Sequence, residues 1–166
     1  MSNYIIELLQ RYRGKGVLLD TNILLLYFVG AFNPEEIPRF KRTKMFTVED
    51  HDTLVRILGY FEKIVTTPNI LTEVSNLSGQ LAERLKGDYF ETFASGMTLF
   101  DEHYLSSANI SAMQEFRRFG LTDAGIIHLV RGNCLVITDD FRLSQYLQKE
   151  GVDVLNFNHI RVFNWK

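Results

Sequence analysis

The sequence lacks several features that mark particular classes of protein. A single cysteine, Cys134, excludes an internal disulfide and a cysteine-based zinc site. No apolar run approaches the ~18 residues of a membrane span. The start of the chain also lacks the basic region and long apolar stretch of a signal peptide. These absences predict a cytoplasmic protein with no membrane partner.

A positive overall charge is also missing. The net charge of −2 gives no general attraction to nucleic acid, so any such contact needs a local basic patch. The basic run at 39–44 is by default a solvated loop. In the alternative interpretation it binds RNA, with Phe40 and Phe46 as stacking surfaces. We expect residues 30–46 to form a mobile rim beside the acidic site described below, whereas Arg117 and Arg118 are interpreted as ordinary surface residues.

The pattern of apolar runs predicts the fold class. The 166 residues fit one domain covering 1–166. Runs typical of buried strands occur at Val17–Leu19, near Val65 and at 134–138, and the alternation at 152–156 predicts a less buried strand. Helical patterns separate these runs, and parallel strands need such crossovers. The sequence therefore predicts an α/β fold with a mainly parallel central sheet and helices on both faces.

Helix boundaries are predicted from capping signals and apolar spacing. In the first half of the chain we expect a helix over 3–12, a buried helix from Ile23 to Val29, and a helix that starts at Thr47 with Asp50 as a capping box. A further helix should run from Thr67-Pro68 to about Leu77, and a long one over 81–104 with candidate breaks at Gly87 and Gly96. The last three are expected from Ser111 to Gly120, from Thr122 to Gly132, and over 142–149. We interpret 30–62 as a longer loop and helix region and 81–119 as a helical region. Residues 160–165 are expected to form a last edge strand.

Several acids stand where apolar residues are expected. Asp20 lies between the strand run and the buried helix, where a charge is costly unless it is compensated. Asp139 and Asp140 also end a strand run. Glu73 and Asp123 lie on the apolar stripes of their helices. The carboxyl ends of parallel strands share one edge, where α/β proteins bind ligands, so we expect these acids to approach that edge from four segments.

Each acid alone has an ordinary explanation. Asp20 can cap the next helix, Asp139 and Asp140 can make a turn and a cap, Asp123 can interact favourably with the helix dipole, and Glu73 can pair with a basic neighbour. Together they need a proton or a cation to share a small volume. Oxygen ligands without cysteine or histidine favour Mg²⁺ or Mn²⁺. An ion of this kind is suited to phosphate chemistry.

Four short motifs carry a resemblance to a known family. They are Leu19-Asp20-Thr21-Asn22, Pro68-Asn69-Ile70-Leu71-Thr72-Glu73-Val74, Leu121-Thr122-Asp123-Ala124 and Ile137-Thr138-Asp139-Asp140. In order and spacing they resemble the PIN-domain family of metal-dependent ribonucleases, over residues 16 to about 156. The resemblance implies a three-layer PIN-like fold and cleavage of RNA through a water activated by one or two divalent ions.

The resemblance also implies roles for individual residues. Asp20, Glu73 and Asp123 match metal-holding positions directly. The fourth position is open, because the usual Thr-x-Asp pattern selects Asp140 but Asp139 lies beside it. Thr21 and Asn22 match positions that orient Asp20 or water. The implied function is a Mg²⁺- or Mn²⁺-dependent endoribonuclease.

Other interpretations and partners follow from the same motifs. The main alternative is a non-catalytic PIN-like scaffold that binds RNA or protein. A receiver-type phosphoacceptor ranks low, because its acid pair would follow the first strand. The candidate partners are an RNA substrate, an inhibitory antitoxin protein and a second copy of the chain. The segments 29–47 and 81–119 are longer than in compact toxin-type members, so no toxin–antitoxin subgroup is assigned.

Overall fold

The computed structural model describes residues 3–161, which form nine α-helices and five strands. The helices are α1 (Asn3–Tyr12), α2 (Thr21–Phe32), α3 (Val48–Leu58), α4 (Pro68–Ser78), α5 (Glu83–Met97), α6 (Ser107–Ser111), α7 (Phe116–Val130), α8 (Phe141–Lys149) and α9 (Phe157–Arg161). The strands are β1 (Val17–Leu19), β2 (Ile64–Thr66), β3 (Asp101–Glu102), β4 (Leu135–Thr138) and β5 (Val154–Asn156). A short 3-10 helix, Pro34–Glu36, follows α2.

The strands form one sheet in the order β3-β2-β1-β4-β5, and every neighbouring pair is parallel. In the centre, Val17 of β1 lies opposite Ile64 of β2 and Leu135 of β4. The chain moves from β1 through β2 to β3 in one direction, and from β4 to β5 in the other. Because crossovers between parallel strands are right-handed, the two directions place helices on opposite faces. The predicted α/β fold is confirmed.

The core lies around β1, β4 and α2. Both strands are buried along their whole length, as expected for central strands covered on two faces. The α2 helix is buried almost all round and contacts α3, α4 and α5. This confirms the prediction that it has no polar face. The first residues of α2 are therefore held firmly at the end of β1.

Two predicted helix starts are confirmed in atomic detail. The Asp50 N–H donates to the Thr47 hydroxyl (3.2 Å) and the Thr47 N–H to the Asp50 carboxylate (2.9 Å), which forms a reciprocal capping box. At the start of α4, Thr67 accepts a hydrogen bond from the Ile70 N–H (3.3 Å), and Pro68 occupies the first position. This cap fixes the direction in which α4 leaves β2.

The prediction for residues 81–104 is wrong at its end. The α5 helix continues through Gly87 and Gly96 but stops at Met97, and Asp101–Glu102 then forms β3. This strand pairs in parallel with β2 at the edge of the sheet. Two charged residues give no apolar alternation, so the sequence pattern does not reveal an edge strand of this kind.

Two predicted caps are also wrong. Ser111 does not cap the helix that leads to Gly120, because it is the last residue of α6, and that helix begins at Phe116 after Glu115. The α6 helix is capped by Ser106, whose hydroxyl accepts the Asn109 N–H (3.2 Å). Gly120, at φ 78° and ψ −171°, divides α7 into two helical parts. Thr122 therefore lies within the second part, where its hydroxyl serves another purpose. The glycine suits this kink because side chains disfavour a positive φ.

The carboxyl-terminal part of the described chain differs from the prediction as well. The β5 strand is fully buried, since α8 and α9 contact it. Ile160 and Arg161 end α9 rather than forming an edge strand, and residues 162–165 of that predicted strand lie outside the described residues. None of the helices within residues 3–161 combines the length and apolar character that crossing a membrane requires.

The segment 30–46 is tied to the core by its aromatic residues. Phe40 and Phe46 are buried, and the Phe46 ring packs against Phe157 with centroids 6.1 Å apart. The expectation that these two rings offer stacking surfaces is therefore wrong. Arg39 lies 3.5 Å from both Glu35 and Glu36, so its charge is compensated locally. The proposed RNA-binding role of the segment stays a prediction.

Candidate functional site

The topology creates a crevice between the carboxyl ends of β1 and β4. These strands are neighbours, with Leu19 opposite Ile137, but the connections that leave them run in opposite directions along the sheet. Such a reversal is where open α/β sheets bind ligands. Asp20 follows β1 directly, and Asp139 and Asp140 follow β4. Three of the five predicted acids are therefore brought to one crevice by the sheet alone.

Asp20 is buried at this crevice, with 7% of its surface exposed. It caps α2, since one carboxylate oxygen accepts the Asn22 N–H at 3.2 Å. The hydroxyl of Thr138 on β4 donates to the other oxygen. Burial, and then the charges of Asp139 and Asp123, raise the pKa of Asp20 to about 7, against the opposing effect of the Thr138 hydrogen bond. The helix-cap explanation is correct, but it leaves this charge without a cationic partner.

The two residues after Asp20 reach two further segments. The Thr21 hydroxyl donates to an oxygen of Glu73 on α4 at 2.9 Å. The Asn22 side-chain amide donates to both oxygens of Asp139 at 3.3 and 3.4 Å. The resemblance implied that these side chains orient Asp20 or water, whereas here they hold other acids. One tripeptide therefore links β1 to both α4 and the end of β4.

Glu73 completes the connection to α7. Its second carboxylate oxygen accepts a short hydrogen bond of 2.5 Å from the hydroxyl of Thr122. Glu73 itself is exposed, although Ile70 and Val74 on the same helix are fully buried. Within residues 3–161 it forms no ion pair, so the simple explanation as the partner of a basic residue does not apply. Two threonines from different segments instead hold one carboxylate at the edge.

Asp123 is the least restrained of the acids. It is half-buried, one position after Thr122, and its carboxylate has no hydrogen bond or ion pair with the rest of the described chain. Burial, and then the charges of Asp140 and Glu73, raise the pKa of Asp123 to about 6, while Arg142 acts in the opposite direction. A half-buried carboxylate that has two other carboxylates around it and no ion pair favours binding a proton or a cation.

Both candidates for the fourth acid lie at the crevice, in different roles. Asp140 is exposed and caps α8, with one oxygen accepting the N–H groups of Arg142 (2.7 Å) and Leu143 (3.0 Å). Asp139 is half-buried, and burial, followed by the charge of Asp140, raises its pKa. The charge of Asp140 acts on Asp123, whereas that of Asp139 acts on Asp20. The choice between them therefore stays open.

The donor atoms fit a hard divalent ion in kind, because all are carboxylate or hydroxyl oxygens. A cation would offset both the burial and the mutual repulsion that raise the pKa values of Asp20 and Asp123. No three Asp, Glu, His or Cys side chains in the described part of the chain form a ready-made metal cluster. The acids around the crevice influence one another in pairs, Asp139 and Asp123 acting on Asp20, and Asp140 and Glu73 acting on Asp123.

Sequence reasoning missed the hydroxyl groups that organise these acids. Thr138 ends β4, is fully buried, and both donates to Asp20 and accepts the Asp140 N–H at 2.9 Å. Thr122 was expected to cap a helix and instead binds Glu73. A threonine one or two positions before an acid at a strand or helix end is the signal that could have indicated both roles.

Comparison of the chain with family models, with curated proteins and with solved structures found no match of any kind.

Proposed function

We propose that this protein is a Mg²⁺- or Mn²⁺-dependent endoribonuclease of PIN type. The observation that carries the proposal is the hydrogen-bonding of the Asp20-Thr21-Asn22 turn. Its three residues bond, in order, to Thr138, to Glu73 and to Asp139, so that acids from separate segments face one crevice. A purely structural turn has no need to gather like charges, because their repulsion destabilises the fold.

In this proposal Asp20, Glu73, Asp123 and Asp140 hold the ion, with Asp139 as the reserve for the last position. When bound, a divalent ion activates water as a nucleophile and offsets negative charge on the phosphoryl oxygens. The chain contributes positioning, since Thr21, Thr122 and Thr138 fix the acids through hydrogen bonds. No side chain acts as the nucleophile.

The test compares two aspartates of the same sheet. Asp20→Asn nearly preserves shape and can still cap α2. If Asp20 holds the ion, Mn²⁺-dependent cleavage of an end-labelled single-stranded RNA should fall by about a hundredfold or more, the scale of losing one key electrostatic group. Asp101→Asn is the matched control, because Asp101 pairs with Lys63 at the edge strand, outside the crevice. It should change the rate less than about twofold.

Further arms separate the alternatives. A wild-type cleavage rate in Asp20→Asn would contradict the catalytic assignment and leave only the cap. A protein that binds RNA but shows neither Mn²⁺ binding by calorimetry nor cleavage would be the non-catalytic scaffold. Asp139→Asn and Asp140→Asn, measured separately, should identify the fourth ligand. Anomalous diffraction from a crystal soaked in Mn²⁺ would locate the ion.

A further inference from the structure

A cationic and aromatic surface begins beside the acidic crevice. It is formed by Arg118 and Phe119 in the first part of α7 and by Arg142 and Tyr146 on α8. The Phe119 and Tyr146 rings pack with centroids 4.9 Å apart. We call these four residues the arginine–aromatic surface. It continues into a cleft of about 380 Å³ that Lys149 also lines.

The two guanidinium groups lie over the aromatic rings at cation–π distance. Arg118 lies over Phe119 at 5.0 Å and over Tyr146 at 5.5 Å, and Arg142 lies over Phe119 at 5.0 Å. Arg142 also donates to the Arg118 carbonyl at 2.8 Å. A guanidinium presents five N–H donors in a planar fork, so groups held near aromatic rings retain donors that suit phosphate oxygens.

These two arginines differ from most others in the described chain. Neither forms an ion pair within residues 3–161, whereas Arg11, Arg13, Arg39, Arg131 and Arg161 each pair with a carboxylate. Glu115 lies near Tyr146, but its charge is taken up by Arg131 at 2.7 Å. The arginine–aromatic surface therefore carries two guanidinium groups without an ion pair within residues 3–161, and the carboxylates that act on it without a salt bridge are Asp123, on Arg142, and Glu150, on Tyr146.

The surface is continuous with the crevice. The Arg142 N–H donates to the Asp140 carboxylate at 2.7 Å, and the positive charge of Arg142 acts on Asp123. Phe141 lies between Asp140 and Arg142 in the sequence and begins α8, and 59% of its surface is exposed. An exposed ring next to two arginines without ion pairs combines the two features that bind single-stranded nucleic acids, a stacking platform and a cationic path.

We infer that a single-stranded RNA lies along α8, with a base stacked on Phe141 and with its backbone phosphates on Arg142 and Arg118, and so enters the acidic crevice. The identification of the occupant as RNA rests on the proposed function. The basic path also answers a difficulty of that function, because the acids of the crevice repel a phosphate backbone. Two unpaired arginines beside them supply the opposite charge.

The test measures binding without cleavage. A short fluorescent single-stranded RNA is titrated with the full chain in EDTA, and its anisotropy is followed at several salt concentrations. The double variant Arg118→Gln/Arg142→Gln should weaken binding about tenfold or more, and should lower the slope of log affinity against log salt by about 1.4 for two lost phosphate contacts. The matched control is Arg11→Gln/Arg13→Gln, which removes the same charge from ion-paired, exposed positions and should have less than a twofold effect.

Two further variants separate charge from stacking. Phe141→Ala should weaken binding by about fivefold or more, the scale of one stacked base, and leave the salt slope unchanged. Arg118→Lys/Arg142→Lys should keep the salt slope and lose part of the affinity, because lysine lacks the flat fork. This lysine pair also keeps the test decisive if the glutamine pair folds poorly, which a thermal melt would reveal.

The outcomes distinguish this inference from the proposed function. Equal losses in the glutamine pair and its control, an unchanged salt slope, or equal competition by duplex RNA would overturn the inference. Those results would leave Mn²⁺-dependent cleavage to be judged by its own assay. Conversely, binding that depends on Arg118, Arg142 and Phe141 in a protein that never cleaves RNA would retain the surface and reject the nuclease. If the surface serves a protein partner, RNA affinity would not respond to these variants.

Discussion

Two aspartates of the same sheet show opposite ways of accommodating a charge. Asp101 on β3 is 36% exposed and pairs with Lys63 at 2.7 Å and with His103 at 3.2 Å. These partners lower the pKa of Asp101. Asp20, after β1, is buried and bonded only to neutral groups, and its pKa is raised to about 7. One carboxylate is compensated by the chain itself, whereas the other needs a proton or an external cation.

The difference follows the two edges of the sheet. Lys15 and Lys63 precede β1 and β2 and have partners, the Gly132 carbonyl at 3.1 Å and Asp101 at 2.7 Å. Hydroxyl and amide groups hold the acids at the carboxyl edge, and they fix positions without cancelling charge. A lysine among these acids would raise the free energy of unfolding, because its charge would offset their mutual repulsion. Within residues 3–161 the positive charges that act on these acids are those of Arg142 on Asp123 and of Arg161 on Asp139, and neither arginine forms an ion pair with a crevice acid.

The largest effect is expected in the pH dependence of stability without metal. The raised pKa of Asp20 means that the folded state binds more protons than the unfolded state between about pH 4 and pH 7. Stability contributed by this group is therefore lost as the pH rises through that window. In EDTA, Asp20→Asn should melt at a higher temperature than the wild type, with a gap that grows from pH 5 to pH 8 and reaches at least about 4 °C.

Two controls sharpen that comparison. Asp101→Asn should instead melt at a lower temperature than the wild type. The pKa of Asp101 is lowered in the folded state, so this carboxylate contributes stability at pH values above its ordinary pKa, and that contribution is lost as the pH falls. Adding Mn²⁺ at pH 8 should raise the melting temperature of the wild type more than that of Asp20→Asn. If the difference in melting temperature between the wild type and Asp20→Asn stayed constant from pH 5 to pH 8, the raised pKa of Asp20 would be contradicted.

A smaller effect is expected from the threonine that positions Asp20. Thr138→Val removes the buried hydroxyl that bonds both Asp20 and the Asp140 N–H, at nearly constant shape. Urea unfolding should show a loss of about 1–3 kcal/mol. Thr66 ends the neighbouring strand β2 and is the matched control, because its buried hydroxyl has no partner within residues 3–161. Thr66→Val should be neutral or stabilising, and equal losses in the two variants would show that the hydrogen bonds to Thr138 carry no weight.

The sequence predicted the elements whose cause is local. The caps at Thr47 and Thr67 and the central strands β1 and β4 depend on residues within a few positions of one another, and each was predicted. The β3 strand was missed because it forms only where β2 offers an edge and Lys63 offers a charge. A pattern within the segment contains neither.

The candidate site divides in the same way. That acids approach one edge followed from their places at strand ends and on helix stripes. The hydrogen bond from Thr122 to Glu73 joins residues 49 positions apart, and no spacing rule predicts it. That Arg118 and Arg142 form no ion pair within residues 3–161 could not be predicted, for a related reason. In the sequence, Arg118 follows Arg117 and looks like an ordinary surface residue. Only the structure shows which carboxylates lie within its reach.

The smallest effect is expected at the compensated aspartate. Lys63→Met removes the ion pair to Asp101 but keeps the aliphatic part of the side chain, and both groups are more than one-third exposed. Exposed pairs contribute about 0–1 kcal/mol, because solvent and salt screen them. Urea unfolding should therefore detect a loss well below that of Thr138→Val, and it should shrink further in high salt. A loss as large as that of Thr138→Val would mean that charge compensation at the exposed edge matters as much as hydrogen bonding in the crevice. The two aspartates would then differ in exposure alone, and the comparison with Asp101 would no longer support an external cation at Asp20.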